Sequence, residues 1–155
     1  MAEFYSRKPT RIPNFDYSSD YYYFITICTH EMSCIFGNPE KLNIYGEIAR
    51  NDLQNMVHHF EHLELIKYVV MPNHIHAIIR IGCENVPGKG PNLNTVVGLY
   101  KSGVTRKIRE IHPDLVVWQR SFHDHVIRNQ QGFEKIWTYI DNNPLKWEED
   151  CFYPA

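Results

Sequence analysis

Hydrophobic and polar positions along this chain change their period several times, and each change marks an element. Residues 21–29 (YYYFITICT) are aromatic and β-branched with no breaker, the composition of a buried strand. Gly37, Asn38 and Pro39 then signal a turn. Over 44–60 the apolar residues fall at Tyr45, Ile48, Ala49, Leu53, Met56, Val57 and Phe60, spacings of three and four that put them on one face of a helix. Residues 63–71 are strand-like, Pro72-Asn73 is a two-residue turn signal and 74–81 continues as a strand, so the pair reads as an antiparallel hairpin. The stretch 82–94 (GCENVPGKGPNLN) reads as a mobile loop able to close over a substrate. A second helix over 95–111 gathers Val96, Tyr100, Val104, Ile108 and Ile111 on one face. A fourth strand is expected over 115–127 (LVVWQRSFHDHVI). A last helix follows over 133–143, with Phe133, Ile136, Trp137 and Ile140 inward and Pro144 as its stop.

The order strand, helix, strand, strand, helix, strand, helix predicts an α+β fold, a ferredoxin-like antiparallel sheet with helices packed on it. At 155 residues and 43% apolar content the chain is sized for one domain spanning 1–155. No stretch nears the ~18 apolar residues of a membrane span, and the N-terminus lacks a signal-peptide apolar region, so no membrane association is expected and the cytoplasm is. Cys28, Cys34, Cys83 and Cys151 form no Cys-x-x-Cys pair, which favours free buried thiols over disulfides or a zinc cluster. A net charge of −2 argues against a uniformly basic coat, so any nucleic-acid contact is local. Two places could supply it: Arg7, Lys8 and Arg11 near the N-terminus, and Lys101, Arg106, Lys107 and Arg109 on the polar side of the second helix. Such runs are ordinarily just solvated faces.

Chemistry concentrates in two places. Along 74–81 the odd-numbered side chains, Ile75, Ala77, Ile79 and Ile81, are all apolar, while His74, His76 and Arg80 share the other face with Ile78. Alternate residues on a strand lie roughly 6 to 7 Å apart, close enough for two imidazoles to converge on one cation. On the last helix Tyr139 and Asn143 are four apart and share a face, with Lys135 one turn earlier. Taken singly, these residues could equally be structural histidines and a surface tyrosine before an Asn-Pro helix stop. His123-Asp124-His125 is a poorer strand-borne metal pair because of its charged middle residue, although Asp124 could orient a ligand histidine. His58, His59 and His62 read as surface residues.

Four segments together carry a resemblance: Arg11-Ile12-Pro13 to Tyr17, Met71-Pro72-Asn73-His74-Ile75-His76, Trp118-Gln119-Arg120 with Phe122 to Arg128, and Tyr139-Ile140 to Asn143-Pro144. In these the chain resembles the REP-associated tyrosine transposases, single-tyrosine (insertion-sequence-200-like) transposases of the HUH nuclease superfamily. The resemblance implies that His74 and His76 bind a metal, Mg2+ or Mn2+, that Tyr139 attacks a phosphodiester, and that Asn143 holds the third-ligand position. It implies single-stranded DNA bearing hairpins as substrate and a 5′-phosphotyrosine intermediate. Lys135, Arg80, Asp124, Arg120 and Lys101 are then candidates for supporting the site or touching DNA, with Arg7, Lys8 and Arg11 as N-terminal contacts. Family members include both homodimers whose tyrosine helix serves the partner's site and self-contained monomers. Two other functions stay open at this level: a DNA-hairpin-binding protein with little or no cleavage, and an unrelated two-histidine metallohydrolase with a structural Tyr139.

Overall fold

A sheet with helices on both faces is what this hydrophobic pattern builds. The computed structural model of the chain describes residues 21–82 and 90–154. Its main elements are β1 (Tyr21–Cys28), α1 (Ile44–Asn55), β2 (Leu63–Met71), β3 (His74–Ile81), α2 (Leu93–Ile111), β4 (His123–Ile127) and α3 (Gln130–Asn142). The sheet order is β2-β3-β1-β4 with every neighbouring pair antiparallel, which is the ferredoxin-like α+β arrangement expected. Each helix opens on an asparagine whose side chain accepts a backbone N–H of the first turn: Asn43 from Gly46, Asn92 from Asn94, Asn129 from Gly132. The Asn92 cap starts α2 two residues before the periodicity does.

The strand alternation sorts the core into two layers. Ile75, Ala77, Ile79 and Ile81 of β3 join Tyr23, Ile25 and Ile27 of β1 on one face, where α1 (Ala49, Leu53) and α2 (Val96, Val97, Tyr100, Val104, Ile108) cover them. The other face is covered by α3, whose Ile136, Tyr139 and Ile140 pack on Phe24, Ile78 and Ile127. His74 and His76 alternate with the first set, so they face α3.

The expected strand over 115–127 is only its second half. Trp118 bridges Thr29, and His123 pairs with Thr26, so five steps of one strand run beside three of the other. The two surplus residues are thrown out as a bulge in which Ser121 takes a positive φ of 67°. Lys101 from α2 fixes it, its Nζ donating to the carbonyls of Gln119 and Ser121 at 2.8 Å each. Lys107 pairs with Asp52, and Arg109 donates to the Leu115 carbonyl. Three cations of that basic run are therefore tied into the fold.

The thiols also depart from expectation. Cys28, Cys34 and Cys151 are free, but only Cys28 is buried, and burial pushes its thiol up to about 12; Cys34 and Cys151, which lie outside the strands and helices, are exposed. His58, His59 and His62 are exposed, as read. Arg7, Lys8, Arg11, the segment to Tyr17, Cys83 and most of the glycine-rich 82–94 stretch lie outside the described residues. Among the described residues no helix is long and apolar enough to cross a membrane.

Candidate active site

The tight Pro72-Asn73 turn decides where β3 begins, and so which way its first side chains point. The turn is packed down by Phe36 N–H on the Pro72 carbonyl (3.1 Å) and by the Thr29 hydroxyl on the Asn73 carbonyl (3.0 Å). His74 and His76 follow at the first and third positions of the strand, both with no exposed surface, their rings 4.5 Å apart centre to centre.

Each imidazole is held from behind through Nδ1. His76 Nδ1 meets Thr26 Oγ1 at 2.9 Å, from the residue directly opposite on β1. His74 Nδ1 meets Asn73 Oδ1 at 2.8 Å. Since Asn73 Nδ2 donates to the carbonyls of Met32 and Phe152, its Oδ1 is an acceptor and His74 Nδ1 carries the proton. His74 Nε2 is thereby left with a lone pair aimed into the site, the tautomer a metal ligand needs, while the Thr26 hydroxyl can pair with His76 Nδ1 in either tautomer. Burial lowers the pKa of His74 to about 4, with Asp150 and the Asn143 hydrogen bond opposing. Burial first, and then His74, lowers His76 well below the ordinary imidazole value.

Helix α3 brings the partners. Tyr139, 5% exposed, places its hydroxyl 3.4 Å from His76 Nε2 of the same chain, a long hydrogen bond. Asn143, just past the last turn, puts Oδ1 3.3 Å from His74 Nε2. The helix is locked on the sheet by Lys67, which pairs with Asp141 and lies 4.1 Å from the Trp137 ring centre. A β-bulge between Leu65 and Lys67 puts Lys67 opposite Ile78, the residue that packs against α3.

The segment after Pro144 completes the enclosure. Phe152 and Trp147 pack their rings 4.5 and 6.0 Å from that of His74. Asp150, its side chain 1% exposed, accepts from Asn143 Nδ2 and from Phe152 N–H (2.8 Å), with Oδ2 4.0 Å from His74 Nε2. A cavity of ≈ 170 Å³ opens beside this cluster, lined by Tyr139, Asn142, Asn143, Lys146, Glu149 and Asp150.

The donor set fits a cation. Asn143 spends its Nδ2 on Asp150, so its Oδ1 lone pairs confront the Nε2 lone pair of His74 at 3.3 Å. Two acceptors in that position need a proton or a metal ion between them, and burial withholds the proton at neutral pH.

The other sequence candidates sit elsewhere. Arg80 lies further along the histidine face with its guanidinium 5.6 Å from the Tyr22 ring centre. Lys135 is exposed on α3, and Arg120 is exposed in the bulge. Asp124 is paired with Ile25, whose side chain belongs to the α1/α2 layer, while His123 pairs with Thr26 on the site's face. The histidine-orienting role considered for Asp124 is filled by Thr26 and Asn73. Those two and Asp150 were missed. Thr26 and Asn73 had a signal, a polar residue on the histidine side of β1 and the residue flanking His74; Asp150 follows a helix stop with no periodicity to place it.

Comparison with known proteins places the chain in a family. The family model described as "Transposase IS200 like" matches residues 17–143. A protein of Haemophilus influenzae (strain ATCC 51907 / DSM 11121 / KW20 / Rd), itself uncharacterized, is 32% identical over 172 residues, covering 98% of this chain and 96% of its own. A second from that strain, named provisionally as a REP-associated tyrosine transposase, is 23% identical over 84% of this chain and 74% of its own. Among solved structures, that of a REP-associated tyrosine transposase bound to a REP hairpin shares the fold, with a TM-score of 0.63 at 18% identity over 88% of this chain and 74% of that one. With the family model spanning most of its length, the chain belongs to the IS200-like transposases, enzymes that cut DNA and transfer the cut strand.

Proposed function

We propose that this transposase is a metal-dependent endonuclease and strand transferase of the HUH type. Its substrate would be single-stranded DNA bearing a hairpin, and its intermediate a 5′-phosphotyrosine on Tyr139. The observation that carries the reading is the convergence of His74 and His76 from β3 with Tyr139 and Asn143 from α3 in one buried cluster of a single chain. A cluster complete within one chain favours Tyr139 acting in cis over a homodimer that shares tyrosine helices. Residues 1–155 would act as one domain, in the cytoplasm.

His74, His76 and Asn143 would hold the ion, Mg2+ or Mn2+. When bound, it supplies positive charge that polarises the phosphate and stabilises the leaving 3′ oxygen. The chain's residues do the rest. Thr26 and Asn73 fix the ring orientations, so the two Nε2 atoms stay aimed inward without reorganisation. Packing of Ile136 and Ile140 on Phe24, Ile78 and Ile127, with Lys67 paired to Asp141, keeps α3 in place, so the Tyr139 oxygen starts beside the site. That oxygen forms the new bond to phosphorus as the bond from phosphorus to the 3′ oxygen breaks. The phenolic proton is given up and the 3′ oxygen gains one, leaving a free 3′-hydroxyl. The ester on Tyr139 conserves the bond, so attack by another 3′-hydroxyl rejoins strands without an external energy source. Lys146, which lines the same cavity as Tyr139, would be a candidate contact to the phosphate. Arg80, Lys135 and Arg120, with Arg7, Lys8 and Arg11, are the candidate contacts to the rest of the strand, whereas Lys101 is tied to the carbonyls of Gln119 and Ser121.

The test is covalent capture. With Mn2+ and a single-stranded hairpin taken from beside its own gene, the wild-type protein should form a DNA adduct that survives denaturation. His76→Ala and Tyr139→Phe should form none. An adduct of undiminished yield with His76→Ala would overturn the metal role.

A further inference from the structure

We infer that Asp150 is a fourth protein ligand of the metal, delivered by the segment that follows the tyrosine helix. The inference rests on the reading of His74, His76 and Asn143 just proposed. The candidate ligand atoms of His74, His76 and Asp150 all lie within 4.8 Å of one another. Two ligands sharing one ion at about 2.1 to 2.2 Å are at most about 4.4 Å apart, so a contraction of a few tenths of an ångström brings them into one shell. Asp150 is also a carboxylate with a 1% exposed side chain whose hydrogen-bond partners are neutral groups, Asn143 Nδ2, Phe152 N–H and the Cys151 thiol. A charge so enclosed calls for a cation. Its Oδ2 is the oxygen on the His74 side, 4.0 Å from Nε2.

The chemistry of the ion points the same way. Two imidazoles alone suit softer ions such as Zn2+, whereas a carboxylate and an amide oxygen turn the set into two nitrogens and two oxygens, better matched to Mn2+ or Mg2+. A ligand from this segment would also tie residues 147–152 to the histidines, so that loading the metal and ordering the chain around Trp147 become one event.

The metal alone tests this. Metal-free wild type, Asp150→Asn and His76→Ala are titrated with Mn2+, with free ion followed by electron paramagnetic resonance and thermal melts run with and without Mn2+. We expect Asp150→Asn to weaken Mn2+ binding at least about tenfold and to shrink the Mn2+-induced rise in melting temperature. Should melting show Asp150→Asn unfolded, Asp150→Ser is judged by the same titration. Wild-type affinity in Asp150→Asn, with binding lost in His76→Ala, would overturn the inference and leave the histidine site standing. Unchanged affinity with faster hairpin cleavage would likewise overturn it, making Asp150 an obstruction instead of a ligand. Wild-type protein that binds no Mn2+, or binds it equally well as His76→Ala, would overturn both.

Discussion

Asn73 and His74 are neighbours in sequence and partners in space: the Asn73 side-chain oxygen accepts the His74 Nδ1 proton at 2.8 Å, while its amide nitrogen holds the Phe152 carbonyl at 2.8 Å. One buried amide thus sets the tautomer of an expected metal ligand and fastens the segment that closes the site.

Asn73→Ala should therefore do two things at once. Losing three hydrogen bonds, one buried and two partly buried, should cost on the order of 2 kcal/mol in urea unfolding, and releasing the His74 ring should weaken Mn2+ binding about 10- to 100-fold. A variant equal to wild type in Mn2+ affinity would mean that the ring needs no anchor.

The buried imidazoles make a pH prediction. Because the folded pKa of His74 is lowered from 6.5 to about 4, the unfolded chain binds a proton across that interval that the folded chain refuses. Metal-free stability should accordingly fall as pH drops from about 6.5 toward 4, by about 3 kcal/mol from His74, with His76 adding in the same direction. Mn2+ affinity should stay nearly level between pH 8 and 5.5, since both rings remain neutral. Denaturant curves and Mn2+ titrations over that range decide it, and an affinity that declines steeply below pH 6.5 would show the histidines solvated.

Lys101 stood among the candidate DNA contacts, but its ammonium is spent on the carbonyls of Gln119 and Ser121. Lys101→Met should destabilise the fold by about 1 to 3 kcal/mol by releasing the bulge. The salt dependence of hairpin DNA binding should keep its slope. A slope reduced by about one unit would instead identify a phosphate contact.

The contrast between Lys101 and His74 shows what the sequence could carry. Alternation along 74–81 reports side-chain direction directly, because a strand has period two and β3 is flanked by sheet on both sides; the apolar and histidine faces could be separated before any neighbour was known. Four-residue spacing did the same for Tyr139 and Asn143. The bulge at 119–122 could not be read, because surplus residues exist only relative to a partner strand, and LVVWQRSFHDHVI contains no glycine or proline to flag a break. Asp150 was hidden for a related reason: it reaches the site through a short irregular segment whose course depends on Asn73 and Asn143, residues far away or on another element.

The proposed mechanism turns on Tyr139 forming the bond to DNA. Peptide mass spectrometry of the protein after reaction with Mn2+ and single-stranded hairpin DNA, followed by nuclease trimming, locates that bond. A 5′-nucleotide mass is expected on the tryptic peptide carrying Tyr139, with fragment ions assigning it to that residue. Modification of any other residue, or cleavage that leaves a free 5′-phosphate and an unmodified protein, would contradict that mechanism.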